Sequence, residues 1–181
     1  YNYVPGELLS KATDASDNLR QFLGWANKSI WKSPTLTPKD QSDFESLCFN
    51  FYYEKTLDRL NLFYDRFDFV EKDQNINGIK SPSLANVINQ VNWSSLKQGI
   101  PVLFHGDLHF ENIIKTDSTF TLLDWRQDFG GQTKYGDIYY DLAKLLHGFI
   151  INHQIIKDEH YSINSSHQDS KIEFDFHRKH N

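Results

Sequence analysis

The stretch Phe104 to Trp125, FHGDLHFENIIKTDSTFTLLDW, constrains the fold more than any other part of the chain. Pro101 to Phe104 (PVLF) is a short apolar run that reads as a strand and delivers His105-Gly106-Asp107 onto a loop. Asn112-Ile113-Ile114 opens a second short strand, Lys115 to Ser118 (KTDS) is turn-like, and Thr119 to Leu123 (TFTLL) is β-branched and apolar, which predicts a hairpin. A hairpin brings its two ends together. Asn112 at the start and Asp124 at the end would then present oxygens to one point.

Those residue types in that order suit phosphoryl transfer. In such a site one Asp orients or deprotonates the acceptor hydroxyl, while an Asn and a second Asp hold metal ions that bridge the nucleotide phosphates. Mg²⁺ prefers this kind of supply, one or two protein oxygens with waters and substrate phosphates completing the shell. An Asp with an Asn five residues on says little alone. The preceding His-Gly and the closing Leu-Leu-Asp-Trp say more. Plainer roles stand beside the chemical ones. Asp107 could cap a turn, and Asn112 could satisfy the backbone of a tight loop. Asp124 follows an apolar strand and is hard to explain as a solvated charge. His105 reads as a structural histidine that bonds the loop, and His109 is assigned no role.

HGDLHFEN, then LLDW, then GDIYYDLAKLLHG at Gly136 to Gly148 together resemble the aminoglycoside phosphotransferase and choline kinase family of small-molecule kinases. The resemblance implies the C-terminal lobe of a protein-kinase-like fold. It implies Asp107 as catalytic base, Asn112 and Asp124 as Mg²⁺ ligands, and ATP as phosphate donor. It implies that Asp137 and Asp141 brace the loop and the following helix. It also implies that Tyr1 to Ser10 is a hinge-like segment whose Asn2, Tyr3 and Val4 meet the nucleotide base, with residues 11–181 forming the lobe itself. An ordinary terminal strand is the plainer reading of that segment.

The rest of the chain predicts an α+β fold, mainly helical. Ala12 to Trp31 carries Leu19, Phe22, Leu23 and Ala26 at helical spacing. Thr37-Pro38-Lys39-Asp40 is a helix start, with Thr as N-cap and Pro at the first helical position. A long helix follows, striped by Phe44, Leu47, Cys48 and Phe51 and then by Leu57, Leu60, Phe63, Tyr64 and Phe67. That stripe reads as core rather than as a cage for a cationic substrate. Asp68 to Lys80 is polar with a turn at Asn77-Gly78, and Ser81-Pro82 opens a short helix. Asp128-Phe129-Gly130 imitates a kinase metal motif but follows no apolar strand, so Asp124 keeps that role. Arg126 reads as a surface ion pair, with a phosphate contact as the alternative. Asp137 to Ile156 predicts one helix, with Asp137 as an N-cap that stabilises by about 0.5–2 kcal/mol. Lys157 to Ser170 reads as loop, and Lys171 to Phe176 alternates as a strand in want of a partner, which suggests further chain. His177 and His180 are simply polar.

Composition excludes several classes. Of 181 residues 39% are hydrophobic, enough for a folded core. A net charge of −5 argues against nucleic-acid binding through a broad basic surface. No apolar run approaches the roughly 20 residues that span a bilayer, and no secretory signal is present, so a cytoplasmic protein is expected. The single cysteine, Cys48, lies on an apolar helix face and reads as core. The Asn-x-Ser sequons at Asn27, Asn92 and Asn164 are then chance matches. The chain contains no methionine, begins at Tyr1, and carries no glycine-rich phosphate loop. An N-terminal lobe outside this stretch is therefore expected, and poor catalysis by this stretch alone. The expected partner is a small-molecule alcohol, and an acidic chain suits a cationic acceptor such as an amino alcohol, or a sugar. Oligomeric state leaves no signal. Two other readings remain open: a kinase-like binding module without catalysis, and a metal-dependent phosphohydrolase using the His and Asp of HGDLH.

Overall fold

The computed structural model describes residues 3–67, 69–117, 119–151, 153–166 and 170–176. Asn2, His177 and His180, named above, lie outside them. The fold is mixed α and β. In chain order the elements are β1 (Glu7–Leu8), α1 (Ala15–Ser29), α2 (Pro38–Arg66), β2 (Gln74–Ile76), β3 (Ile79–Ser81), α3 (Leu84–Asn89), α4 (Trp93–Leu96), β4 (Pro101–Val102), β5 (Ile113–Lys115), β6 (Phe120–Leu122), β7 (Gly136–Asp137), α5 (Ile138–Ile150), α6 (His153–Lys157), β8 (Tyr161–Ser166) and β9 (Lys171–Phe176).

The predicted hairpin is β5–β6, with Ile113 opposite Leu122 and Lys115 opposite Phe120. β1 pairs antiparallel on its outer edge, Glu7 opposite Lys115. Helix α1 lies against this sheet because its apolar face is aromatic where the sheet is. Phe22 meets Phe120 edge-on at 5.3 Å and Trp25 lies 5.5 Å from the same ring. Helix α2 starts as its sequence dictates. The Thr37 side chain accepts from the Asp40 N–H, and the Asp40 carboxylate accepts from the Thr37 N–H, a reciprocal cap. The Thr37 hydroxyl, and after it the Thr37 N–H, donate to the Asp40 carboxylate and hold it below the usual carboxylate range.

One core joins these elements. Phe22, Phe44, Cys48, Leu108, Ile113 and Phe129 are fully buried within it. Phe129 is its hub, 4.2 Å from Phe51 and 5.6 Å from Phe104. The Asp-Phe-Gly imitation is therefore a core anchor. Its Asp128 carboxylate accepts from the Gly131 N–H and closes a turn. Burial pushes the Cys48 thiol up to about 12, which makes it unreactive.

Several expectations need correction. Of the stripe on α2, Phe44, Cys48 and Phe51 are buried and Leu47 packs against them, farther out Leu57, Leu60, Phe63 and Tyr64 are half-buried, and Phe67 just past the helix end is exposed. The helix predicted over Asp137 to Ile156 is two. Helix α5 ends at Ile150, where Ile151 turns extended, and α6 follows. The polar segment after it contains strand β8. The strand at Lys171 to Phe176 finds partners within the chain, β8 antiparallel and β2 parallel. Asp68 to Lys80 holds a hairpin as well as its turn. Asn77 and Gly78 both adopt positive φ, 51° and 81°, as a two-residue hairpin turn of the primed type requires. The Asn77 side chain then bonds both the N–H and the carbonyl of Phe174, stitching the turn to β9.

Candidate active site

Strand β4 pairs with β7, Val102 opposite Gly136, and this short ladder fixes the loop between His105 and Asn112 over the start of α5. Asp137 caps α5 by accepting from the Tyr139 N–H, and it also accepts from the Ile100 N–H and the Tyr52 hydroxyl. One turn on, Asp141 accepts from the N–H groups of His105 and Gly106, at 2.9 and 2.7 Å, and from the Trp31 indole at 3.0 Å. Both carboxylates are buried. Burial pushes the Asp141 carboxyl up, and the three N–H bonds oppose it. These are the bracing roles the resemblance implied.

Gly106 has φ 82°, and a Cβ there would come within 2.5 Å of Arg126 Cβ and 2.8 Å of the Phe104 ring. Only glycine fits both the left-handed backbone and the space. His105 is buried and its tautomer follows from its partners. Nε2 lies 2.6 Å from the Leu123 carbonyl, which can only accept, so Nε2 carries the proton. Nδ1 then accepts from the Asp107 N–H at 3.2 Å. Burial lowers the pKa of the ring and favours this neutral form. His105 thus ties the loop to the end of β6, a structural role.

Asp107 is carried outward by this framework, its side chain 43% exposed. Its Oδ1 accepts from the Lys144 ammonium at 2.9 Å and lies 3.3 Å from His109 Nε2. Oδ2 bonds no described residue. Burial is the largest single influence on this carboxyl and raises it, but the Lys144 bond and charge, with the nearby His109, together hold it below the usual range. Asp107 is therefore an ionised acceptor at neutral pH. Sequence reasoning missed Lys144 and gave His109 no role. A signal existed: Asp137, Asp141 and Lys144 recur at positions i, i+4 and i+7, one face of a helix.

The hairpin register places Asn112 opposite Leu123, the residue before Asp124. The Leu123 N–H donates to the Asn112 carbonyl at 2.9 Å, so Asp124 is the next residue along the strand. The Asn112 NH₂ donates to the Asp107 backbone carbonyl at 2.9 Å, which leaves the amide oxygen as its available ligand atom. Asp124 is exposed, adopts φ 54°, and makes no hydrogen bond or ion pair with a described residue. A non-glycine residue held left-handed without a local partner is characteristic of functional sites. An amide oxygen and a carboxylate are hard donors, and two of them match the protein share of a Mg²⁺ shell. Arg126 forms no ion pair among the described residues. Its Nε donates to the Asp128 carbonyl and its guanidinium lies 5.6 Å from the Phe51 ring. Tyr3 is 89% exposed and Val4 half-buried, both before β1 and outside any strand.

The sequence model of the phosphotransferase enzyme family (APH) matches residues 56–162, which include Asp107, Asn112, Asp124 and Lys144. The chain belongs to that family, which implies a kinase-like fold and phosphotransferase chemistry. Comparison with curated proteins finds no match, and comparison with solved structures finds none.

Proposed function

We propose that this protein is a small-molecule kinase that moves the γ-phosphoryl group of ATP to an alcohol. The observation that carries the reading is the pair of outward carboxylates, Asp107 and Asp124, set on either side of Asn112 by a loop whose underside is locked. Asp107 Oδ2 receives the acceptor hydroxyl, while Lys144 and His109 keep Oδ1 engaged and fix the carboxylate's orientation. As the hydroxyl oxygen bonds to the γ-phosphorus, the bond from that phosphorus to the β–γ bridging oxygen breaks. The hydroxyl proton passes to Asp107, and ADP leaves with the electron pair. Asn112 and Asp124 would hold Mg²⁺, which supplies charge neutralisation of the phosphates when bound. On this reading residues 11–181 supply the acceptor-side lobe, and Asn2, Tyr3 and Val4 belong to the hinge.

The phosphohydrolase reading lacks support, because no three His, Cys, Asp or Glu side chains among the described residues gather as a metal cluster. No helix among them is long and apolar enough to cross a membrane. The test is transfer of labelled γ-phosphate from ATP to an alcohol panel by the full reading frame and by its Asp107→Asn variant. Label on an organic product, lost in the variant, supports the proposal. Label released only as inorganic phosphate points to a hydrolase, and no nucleotide turnover points to a binding module.

A further inference from the structure

Helix α2 and helix α5 enclose an open cleft of about 350 Å³, walled by Phe51, Tyr140 and Leu60 and edged by Lys55, Thr56 and Arg59. The Lys55 ammonium lies 4.3 Å from the Phe51 ring centre and 5.0 Å from that of Tyr140, and donates to the Tyr140 hydroxyl at 3.0 Å. Arg126 stands 5.6 Å from the Phe51 ring. Lys55, Arg59 and Arg126 form no ion pair with a carboxylate among the described residues. In a chain with five more acidic than basic side chains, three unpaired cations around one aromatic wall are a local reversal of charge. The buried Asp137 carboxylate accepts from the hydroxyl of Tyr52, which also lines the cleft, so its one contact with this wall is already occupied. The cleft also adjoins the loop: Lys144, bonded to Asp107, lies 5.7 Å from the centre of the same Tyr140 ring.

We infer that this cleft binds the acceptor, and that the acceptor is a small anionic alcohol, one carrying a carboxylate or phosphate group besides its hydroxyl. This rests on the kinase reading for the word acceptor, but the cleft's preference for anions does not depend on it. Local field, not net charge, decides what a cleft concentrates. Arg59 and Lys55 supply charge-assisted donors to the acid group. The aromatic wall takes the carbon skeleton, and the hydroxyl is presented towards Asp107. A cationic amino alcohol, the acceptor that net charge alone favours, meets the like charges of Lys55 and Arg59 there.

The test is calorimetric titration of the protein with four small probes: glycerate, glycerol 3-phosphate, glycerol and choline. It is repeated on Arg59→Glu and on Lys55→Glu/Arg59→Glu, each first shown by urea denaturation to be folded. At least one anion is expected to bind about ten-fold or more tightly than glycerol, with choline weakest, because hydrogen bonds to charged groups carry that much. Charge reversal should erase the preference, with exposed Arg59→Glu alone removing part of it. Comparison of glycerate with glycerol 3-phosphate separates carboxylate from phosphate. The inference is overturned if neither anion outbinds glycerol, if choline binds best, or if the preference survives both substitutions. It is also overturned if the variants weaken ADP as much as the anions, since the cations would then serve the nucleotide. Anion binding together with no phosphoryl transfer would leave the cleft intact and remove the kinase reading.

Discussion

Asp137 and Asp141 can be set against Asp107 and Asp124. The first two are 1% and 0% exposed, and each accepts three hydrogen bonds. The other two reach solvent, one with a free Oδ2 and one with no partner among the described residues. The same residue type thus does two jobs around one loop. Inside, a carboxylate substitutes for backbone pairing that a tight loop cannot make for itself. Outside, a carboxylate is kept from satisfying itself and stays available to a ligand. The outer pair is only as well aimed as the inner pair is rigid.

The comparison breaks most visibly at Asp141. Asp141→Ala leaves two buried N–H groups and an indole N–H without acceptors, each costing about 1–3 kcal/mol. Urea denaturation should show a loss on the order of 3 kcal/mol or more, a large share of the total stability of a domain this size. An unchanged midpoint would mean that the loop does not depend on its brace. Asp107→Asn should do the opposite. Its midpoint should move by no more than about 0.5 kcal/mol, while phosphoryl transfer falls roughly 10²–10⁴-fold. A variant that unfolds would place Asp107 with the inner pair.

His105 sharpens the boundary between the two. Buried and neutral in the fold, it should titrate below 6.5, with the Nε2–H tautomer visible by NMR. The unfolded chain takes up this proton near 6.5 and the folded one does not. The contribution is therefore intact above 6.5 and is lost as pH falls towards the lowered folded value. A ring that titrates at or above 6.5 would contradict the bonding described. The smallest effect is expected far from the loop. Ile163 in β8 is 65% exposed, so Ile163→Thr should shift stability by no more than about 0.5 kcal/mol and leave nucleotide binding unchanged.

What sequence made legible follows the range of the interactions. The β5–β6 hairpin, the Thr37 cap, the Asn77-Gly78 turn and the Asp137 cap are written within a few residues, and each was readable. The site loop was readable for a different reason, since its residue types are dictated by chemistry. Long-range pairing was not. Strand β8 is YSINSS, too polar to announce itself, and is made a strand by β9. The end of α5 at Ile150 interrupts an apolar pattern that contains neither Pro nor Gly at the break. Lys144 was hidden because its partner, Asp107, lies thirty-seven residues away, although its helix face was already marked by Asp137 and Asp141.

The most direct test of the outer pair is calorimetric titration of ATP with and without Mg²⁺, on the protein and on Asp124→Asn. The account predicts binding that depends on Mg²⁺ and is weakened in the variant, whose urea midpoint is unchanged. ATP binding that ignores both Mg²⁺ and Asp124, or an Asp124→Asn protein that no longer folds, would contradict it.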